Sequence, residues 1–236
     1  MTTSRLAIIG HGKMGRAVEQ LAAEHGWTIA AVIDAHANAD GSGITARTLD
    51  GAQVAVEFTT GAAAPANVRA CLRAGCPVVT GTTGWDAQRA RVEEEVLAGD
   101  GAMLWSPNFS IGVNLFWQVA EVAARLAGRT RIFDAHIVET HHAAKRDAPS
   151  GTALALQRLA TAAFGGDIPV SSVRVGAVPG THELLLDGAF EQIRVVHEAR
   201  DRRVFAEGAL LAARWLLGRR GVYTMRDFLT GEVSPA

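Results

Sequence analysis

Short apolar runs alternate with amphipathic stretches through the first half of the chain. Leu6 to Ile9, Thr28 to Ile33, Val54 to Phe58, Val78 to Thr80 and Ala102 to Trp105 are apolar along most of their length, the pattern of strands covered on both faces. Between them, helical spacing runs over about Lys13 to Glu24, Ala63 to Ala74 and Trp85 to Leu97. This alternation predicts βαβ units around a parallel sheet. Asp40 to Asp50 has no clear period and predicts a loop.

After Pro107 the pattern changes. A long amphipathic helix is expected over Val113 to Leu126, then a strand over Arg131 to Val138 and a helix over Thr152 to Ala163. Ser172 to Val175, His182 to Leu186 and Gln192 to His197 follow as β-like runs, with turn signals at Pro179-Gly180 and Asp187-Gly188. Strands without helices between them predict an antiparallel or mixed sheet, hence a second domain. A last helix, Val204 to Leu217, leads to Gly218 and a short tail.

Composition narrows the function. With 48% hydrophobic and 20% charged residues the chain reads as globular, and a net charge of -1 gives no reason to expect nucleic acid or an anionic membrane as partner. The apolar run after Arg5 is too short for a signal segment, and no stretch is long enough to span a bilayer. Cys71 and Cys76 are too few for a disulfide framework and read as buried thiols in a reducing, cytoplasmic compartment.

Gly10-His11-Gly12-Lys13-Met14-Gly15 sits directly after the first strand and at the start of the first helix. In a dinucleotide fold the first glycine allows the tight turn, the second admits the pyrophosphate to the backbone, and the third lets helix and strand pack closely. The phosphates then face the positive end of the helix. Asp34, at the end of the second strand, stands about 20 residues further on, where an acid accepts hydrogen bonds from the adenosine ribose. A carboxylate there repels a 2′-phosphate, so NADH is favoured over NADPH, although Lys13 and His36 leave some NADPH use open. Phe58-Thr59, Gly81-Thr82-Thr83 and Ser106-Pro107-Asn108-Phe109 follow later strands and belong to the loops expected to line the crevice.

The segment from Glu139 to Ala153 carries the densest chemistry. His141 and Lys145 would share a face if the stretch made a helical turn, and together they can exchange protons near neutral pH. Lys13 and Lys145 are the only lysines in a chain that otherwise uses arginine, whose proton affinity is too high for proton donation. Ser150-Gly151-Thr152 offers a cap hydroxyl and N–H groups at a helix start, a seat for a carboxylate. Cations beside a helix N-terminus suit a small dicarboxylate. Glu139, His141 and His142 fit no zinc spacing, so no metal is expected.

These motifs resemble the dihydrodipicolinate reductase family of bacterial lysine and diaminopimelate synthesis. The resemblance runs from Leu6 to about Leu229 and is strongest over His141-His142, Lys145 and Asp147 to Ala153. Glu57-Phe58-Thr59, Gly81 to Gly84, Pro107 to Asn114, Pro179-Gly180-x-His182 and Gly221-x-Tyr223-x-Met225-x-Asp227 support it. It implies a Rossmann-type, doubly wound parallel sheet built from both chain ends, residues 1–112 and 204–236. An inserted α+β domain with a mixed sheet, residues 113–203, would bind substrate and assemble a homotetramer. It further implies His141 as proton donor/acceptor and Lys145 as proton donor, with His142, Ser150, Gly151 and Thr152 holding substrate carboxylates. Gly10 to Gly15, Asp34, Phe58, Thr59, Gly81 to Thr83 and Ser106 to Phe109 would hold NADH or NADPH. The expected activity is reduction of 4-hydroxy-tetrahydrodipicolinate to tetrahydrodipicolinate. A dehydrogenase of an amino dicarboxylate such as aspartate would share the cofactor half without needing the His141 to Thr152 segment.

Overall fold

The computed structural model describes residues 4–231. In chain order the elements are β1 (Ser4–Ile9), α1 (Lys13–Ala22), β2 (Trp27–Ile33), β3 (Val54–Glu57), α2 (Ala64–Arg73), β4 (Val78–Thr80), α3 (Asp86–Leu97), β5 (Ala102–Trp105) and α4 (Ile111–Thr130). They continue with β6 (Phe133–His141), α5 (Gly151–Phe164), β7 (Val170–Arg174), β8 (Thr181–Gly188), β9 (Gln192–Glu198), α6 (Arg203–Leu216), β10 (Gly221–Tyr223) and α7 (Met225–Thr230). No helix among the described residues is long and apolar enough to cross a membrane.

The chain divides into two compact units, residues 1–110 with 203–236, and residues 111–202. In the first, six strands run parallel in the order β10-β5-β4-β3-β1-β2. Ala7 and Ile9 of β1 join Val68 and Cys71 of α2 and Val92 and Val96 of α3 in one core. Leu6 and Ile8 point the other way, towards the layer of α1 and α6. Two covered faces explain why these strands read as runs apolar along most of their length. Chain order reverses at β1, which lies between β2 and β3, and ligands of open α/β sheets bind at the carboxyl ends of such strands. Cys71 and Cys76 are free and buried, and burial pushes their proton affinity up, for Cys76 to about 12.

The tail is a structured part of this unit. β10 pairs with β5, Gly221 opposite Ala102, and α7 is held by a capping box in which Thr224 N–H donates to Asp227 Oδ2 at 2.7 Å.

The second unit carries a mixed sheet in the order β7-β6-β8-β9, with β6 and β7 parallel and the other pairs antiparallel. Phe116, Ala120 and Ala124 of α4 and Leu156 and Ala160 of α5 close over Ile137, Leu184 and Leu186. The opposite face keeps Val173 and Val196 exposed. The β8–β9 turn falls just beyond Asp187-Gly188, where Gly188 N–H donates to Glu191 O at 2.9 Å.

Candidate active site

The glycine loop is built by contacts that side chains would break. Gly10 has φ +92°, and a β-carbon there would overlap the carbonyl oxygen of Phe58; one at Gly15 would overlap the carbonyl oxygen of Gly10. Gly10 N–H donates to Ile33 O at 2.8 Å, and Phe58 N–H donates to Ile9 O at 2.9 Å, so the β1, β2 and β3 ends are locked together. Around them opens a cavity of about 470 Å³ lined by Gly10, Gly12, Arg16, Asp34, Phe58 and Asn67, among others. His11, His36 and Thr59 also line it. Lys13 and Met14 begin α1, while Gly15 is buried beneath Gly10.

Asp34 Oδ1 accepts from the N–H groups of His36, at 2.9 Å, and Ala37, at 3.2 Å. Those backbone bonds hold its carboxyl below the usual carboxylate range, so it stands as an anion in the cavity wall. The remaining predicted loops meet around Phe58. A β-carbon at Gly81 would overlap the Phe58 ring, and Phe109 meets that ring edge-on at 5.9 Å. Ser106 Oγ donates to Asn108 O at 2.7 Å, and the Thr82 carbonyl accepts from the indoles of Trp85 and Trp105.

Beneath these loops lies a group that the sequence marks as part of a motif but gives no role in the site. Glu57 is fully buried, and its carboxylate accepts from the hydroxyls of Thr59, Thr80 (2.5 Å) and Thr82 (3.1 Å). Thr82 Oγ1 in turn accepts from Thr59 N–H at 2.8 Å. Arg16 and Asn67 were missed too. Arg16 lies one turn beyond Gly12, and Asn67 accepts from Asn38 Nδ2 at 2.7 Å.

In the second unit, His141 ends β6, and His142 to Pro149 form a turn and loop instead of a helical turn. The helical turn that would put His141 and Lys145 on one face is therefore not formed. Pairing to β7 and β8 extends the strand through His141 and leaves Lys145 in the turn, its N–H donating to His142 O at 3.1 Å. The proton affinity of His141 is lowered first by burial, with the charge of Lys145 adding in the same direction. Lys145 Nζ is held by both oxygens of Asp147, at 2.8 and 2.9 Å.

Ser150 caps α5, accepting from Ala153 N–H at 3.2 Å. A β-carbon at Gly151 would meet nothing within 4 Å, so there is open space beside Gly151 at the start of α5. Behind it sits a buried cluster. His141 Nδ1 bonds Glu139 Oε2, and Arg174 Nη2 donates to Glu139 Oε1 at 2.6 Å. Ser150 N–H reaches the same oxygen at 3.3 Å. Burial pushes the Glu139 carboxyl up, but hydrogen bonds from Arg174, Ser172 and His141 outweigh it and hold it at about 2. Burial depresses both imidazoles, that of His182 to about 4.

Glu139, His141 and His182 also bring three metal-type donor atoms within 4.8 Å of one another. The guanidinium of Arg174 already supplies the cation this carboxylate needs, so the cluster fits a hydrogen-bonded relay better than an ion site. Period-two alternation along β6 carries the signal for the Glu139–His141 pair. Arg174 is 35 residues away from Glu139 and leaves no such trace.

Comparison with known proteins accounts for nearly the whole chain. Residues 4–109 match the family model "Dihydrodipicolinate reductase, N-terminus", and residues 112–229 match "Dihydrodipicolinate reductase, C-terminus". The 4-hydroxy-tetrahydrodipicolinate reductase of Thiobacillus denitrificans is 38% identical, with 95% of this chain and 98% of the relative aligned. That of Archaeoglobus fulgidus is 41% identical over 75% of this chain and 76% of its own. Among solved structures, a dipicolinate-bound dihydrodipicolinate reductase from Paenisporosarcina sp. TG-14 has the same fold, with a TM-score of 0.79 at 21% identity, covering 94% of this chain and 97% of that one.

Proposed function

The chain belongs to the dihydrodipicolinate reductase family, and from that membership we propose that it reduces 4-hydroxy-tetrahydrodipicolinate to tetrahydrodipicolinate with NADH or NADPH, NADH being preferred. The observation that carries the reading is the segment from His141 to Thr152, where two histidines, a lysine and a helix start come together.

When bound, the nicotinamide supplies a hydride. The glycine loop and Asp34 hold the dinucleotide by its pyrophosphate and ribose, which the β-carbon overlaps at Gly10 and Gly15 and the ionised Asp34 support. The first turn of α5, His142 and Lys145 bind the two carboxylates of the cyclic imine. As the ring takes up hydride, the hydroxyl leaves as water and one proton is consumed. His141 and Lys145 hold and deliver that proton, and Asp147 holds the Lys145 amine in place. The anionic Asp34 underlies the preference for NADH.

We assign the open face of the β7-β6-β8-β9 sheet, with Val173 and Val196, to assembly of a homotetramer. The two buried free thiols suit a reducing cytoplasm.

A coupled assay tests the reading. Dihydrodipicolinate synthase with pyruvate and aspartate semialdehyde generates the substrate, and oxidation of NADH or NADPH is then followed by absorbance. Oxidation that depends on the synthase is the expected result. Tight dinucleotide binding without oxidation would sink the substrate assignment and return attention to an amino dicarboxylate such as aspartate.

A further inference from the structure

Glu139 and His141 stand two residues apart on β6, so their side chains leave the same face of the sheet. Both are buried, Glu139 completely. Arg174 Nη2 engages Glu139 Oε1 and also donates to the Asp147 carbonyl at 2.7 Å, tying β7 to the loop that carries Lys145. Glu139 Oε2 is left to His141 Nδ1. An anionic carboxylate has no proton to give, so the bond requires the proton to sit on Nδ1. The other imidazole nitrogen, Nε2, faces Gly180, where a β-carbon would come within 3.0 Å of it. The remaining titratable groups around the imidazole are His182 on β8, whose ring meets that of His141 edge-on at 5.1 Å, and Lys145 in the loop.

We propose that Glu139 and Arg174 are positioning residues for the reduction: they fix His141 as its Nδ1–H tautomer, so that Nε2 is the nitrogen that exchanges a proton with the substrate. This rests on the reading of His141 as proton donor/acceptor. Glu139 does two things in this arrangement. It selects the tautomer, and its charge favours the imidazolium against the burial that disfavours it. Arg174 keeps Glu139 anionic and keeps the loop at the same height as the imidazole. Gly180 lacks the β-carbon that would crowd Nε2.

The test compares Glu139→Gln, Glu139→Asp, Arg174→Lys and His141→Gln in the full chain, with the double variant Glu139→Gln/His141→Gln. Glu139→Gln should lower kcat by about a hundredfold or more, as expected when a histidine loses the acceptor that sets its tautomer. KM for the dinucleotide should stay within about twofold. Removing the anion lowers the proton affinity of His141, so the basic limb of the kcat/KM profile should move to lower pH. Glu139→Asp should restore part of kcat. In the His141→Gln background the Glu139 change should add nothing, since it acts through that ring.

Nitrogen-15 spectra of histidine-labelled protein give a readout that a purely structural role would not move. The signal lost in His141→Gln should show the Nδ1–H pattern in the parent protein and lose it in Glu139→Gln. An unchanged pH limb and near-parent kcat in Glu139→Gln, with His141→Gln inactive, overturns the proposal. So does a further multiplicative loss in the double variant. If His141→Gln itself turns over normally, the assigned role of His141 fails, and the tautomer spectrum alone decides the positioning claim. Should Glu139→Gln fail to fold, Glu139→Asp and Arg174→Lys carry the same comparison against His141→Gln.

Discussion

A β-carbon on Gly15 would overlap the carbonyl oxygen of Gly10, so the start of α1 rests directly on the turn that leaves β1. Gly15→Ala must push helix and loop apart. We expect at least a tenfold loss of NADH affinity together with a lower Tm, read by fluorescence titration and thermal unfolding. Gly12 is a control of a different kind, because a β-carbon there meets nothing within 4 Å. Gly12→Ala should keep its Tm and still lose affinity. Normal NADH binding by Gly12→Ala would mean the pyrophosphate does not cross that residue.

Asp34 shares its cavity with Arg16 and His36, and the proposed preference for NADH rests on its charge. Asp34→Ser removes the charge that opposes a 2′-phosphate, and the NADPH/NADH ratio of kcat/KM should rise about tenfold or more. Arg16→Ala should weaken NADPH more than NADH. A ratio unmoved by both changes would place the adenosine end elsewhere.

Lys145→Ala removes the ammonium that Asp147 holds. Turnover should fall by about 10²–10⁴-fold, the range for losing a positioned acid, with dinucleotide Kd within twofold of the parent. Near-normal turnover would remove Lys145 from the chemistry.

His182 links stability to pH. Burial depresses its pKa from 6.5 to about 4, and its Nδ1 has no hydrogen-bond partner among the described residues. Between these values the unfolded chain binds the proton and the folded one does not, so stability is full above about pH 6.5 and is lost as pH falls towards 4, by about 3 kcal/mol in all. Glu139, held at about 2 against an ordinary 4.5, extends the loss to lower pH in the same direction. Urea unfolding at pH 7, 5.5 and 4.5 should show the slope, and His182→Gln should flatten its upper part. An unchanged slope in that variant would assign it to other groups.

How far the sequence reveals this molecule depends on how local each cause is. Leu6 to Ile9 and Val54 to Phe58 declare themselves because burial on two faces leaves a run that is apolar along most of its length. Gly10 to Gly15 is equally plain, since backbone contacts between neighbouring turns demand glycine at fixed positions. β10 is different. Gly221-Val222-Tyr223 is too short to show a period and becomes a strand only by pairing with β5. α7 is likewise absent from the expected short tail, because six residues are too few to show an apolar stripe.

The candidate site divides the same way. His141, Lys145 and Ser150 to Thr152 are marked by residue type, whereas their geometry is set by pairing partners far away in the chain. Strand pairing on both sides of β6 overrides the helical turn that their spacing allows. Glu57 reads as one more position at the end of a strand until Thr80 and Thr82, from the next strand and loop, turn their hydroxyls to it.

The pairing of β10 with β5 has a temporal side. A ribosome makes β1 to β5 first, then all of the second unit, and only afterwards α6 and β10. The nascent first unit must therefore wait, with the β-sheet face destined for α6 partly uncovered, while residues 111–202 are synthesised and free to fold. The domain begun first is completed last, and through that interval its sheet lacks the strand and helix that close it.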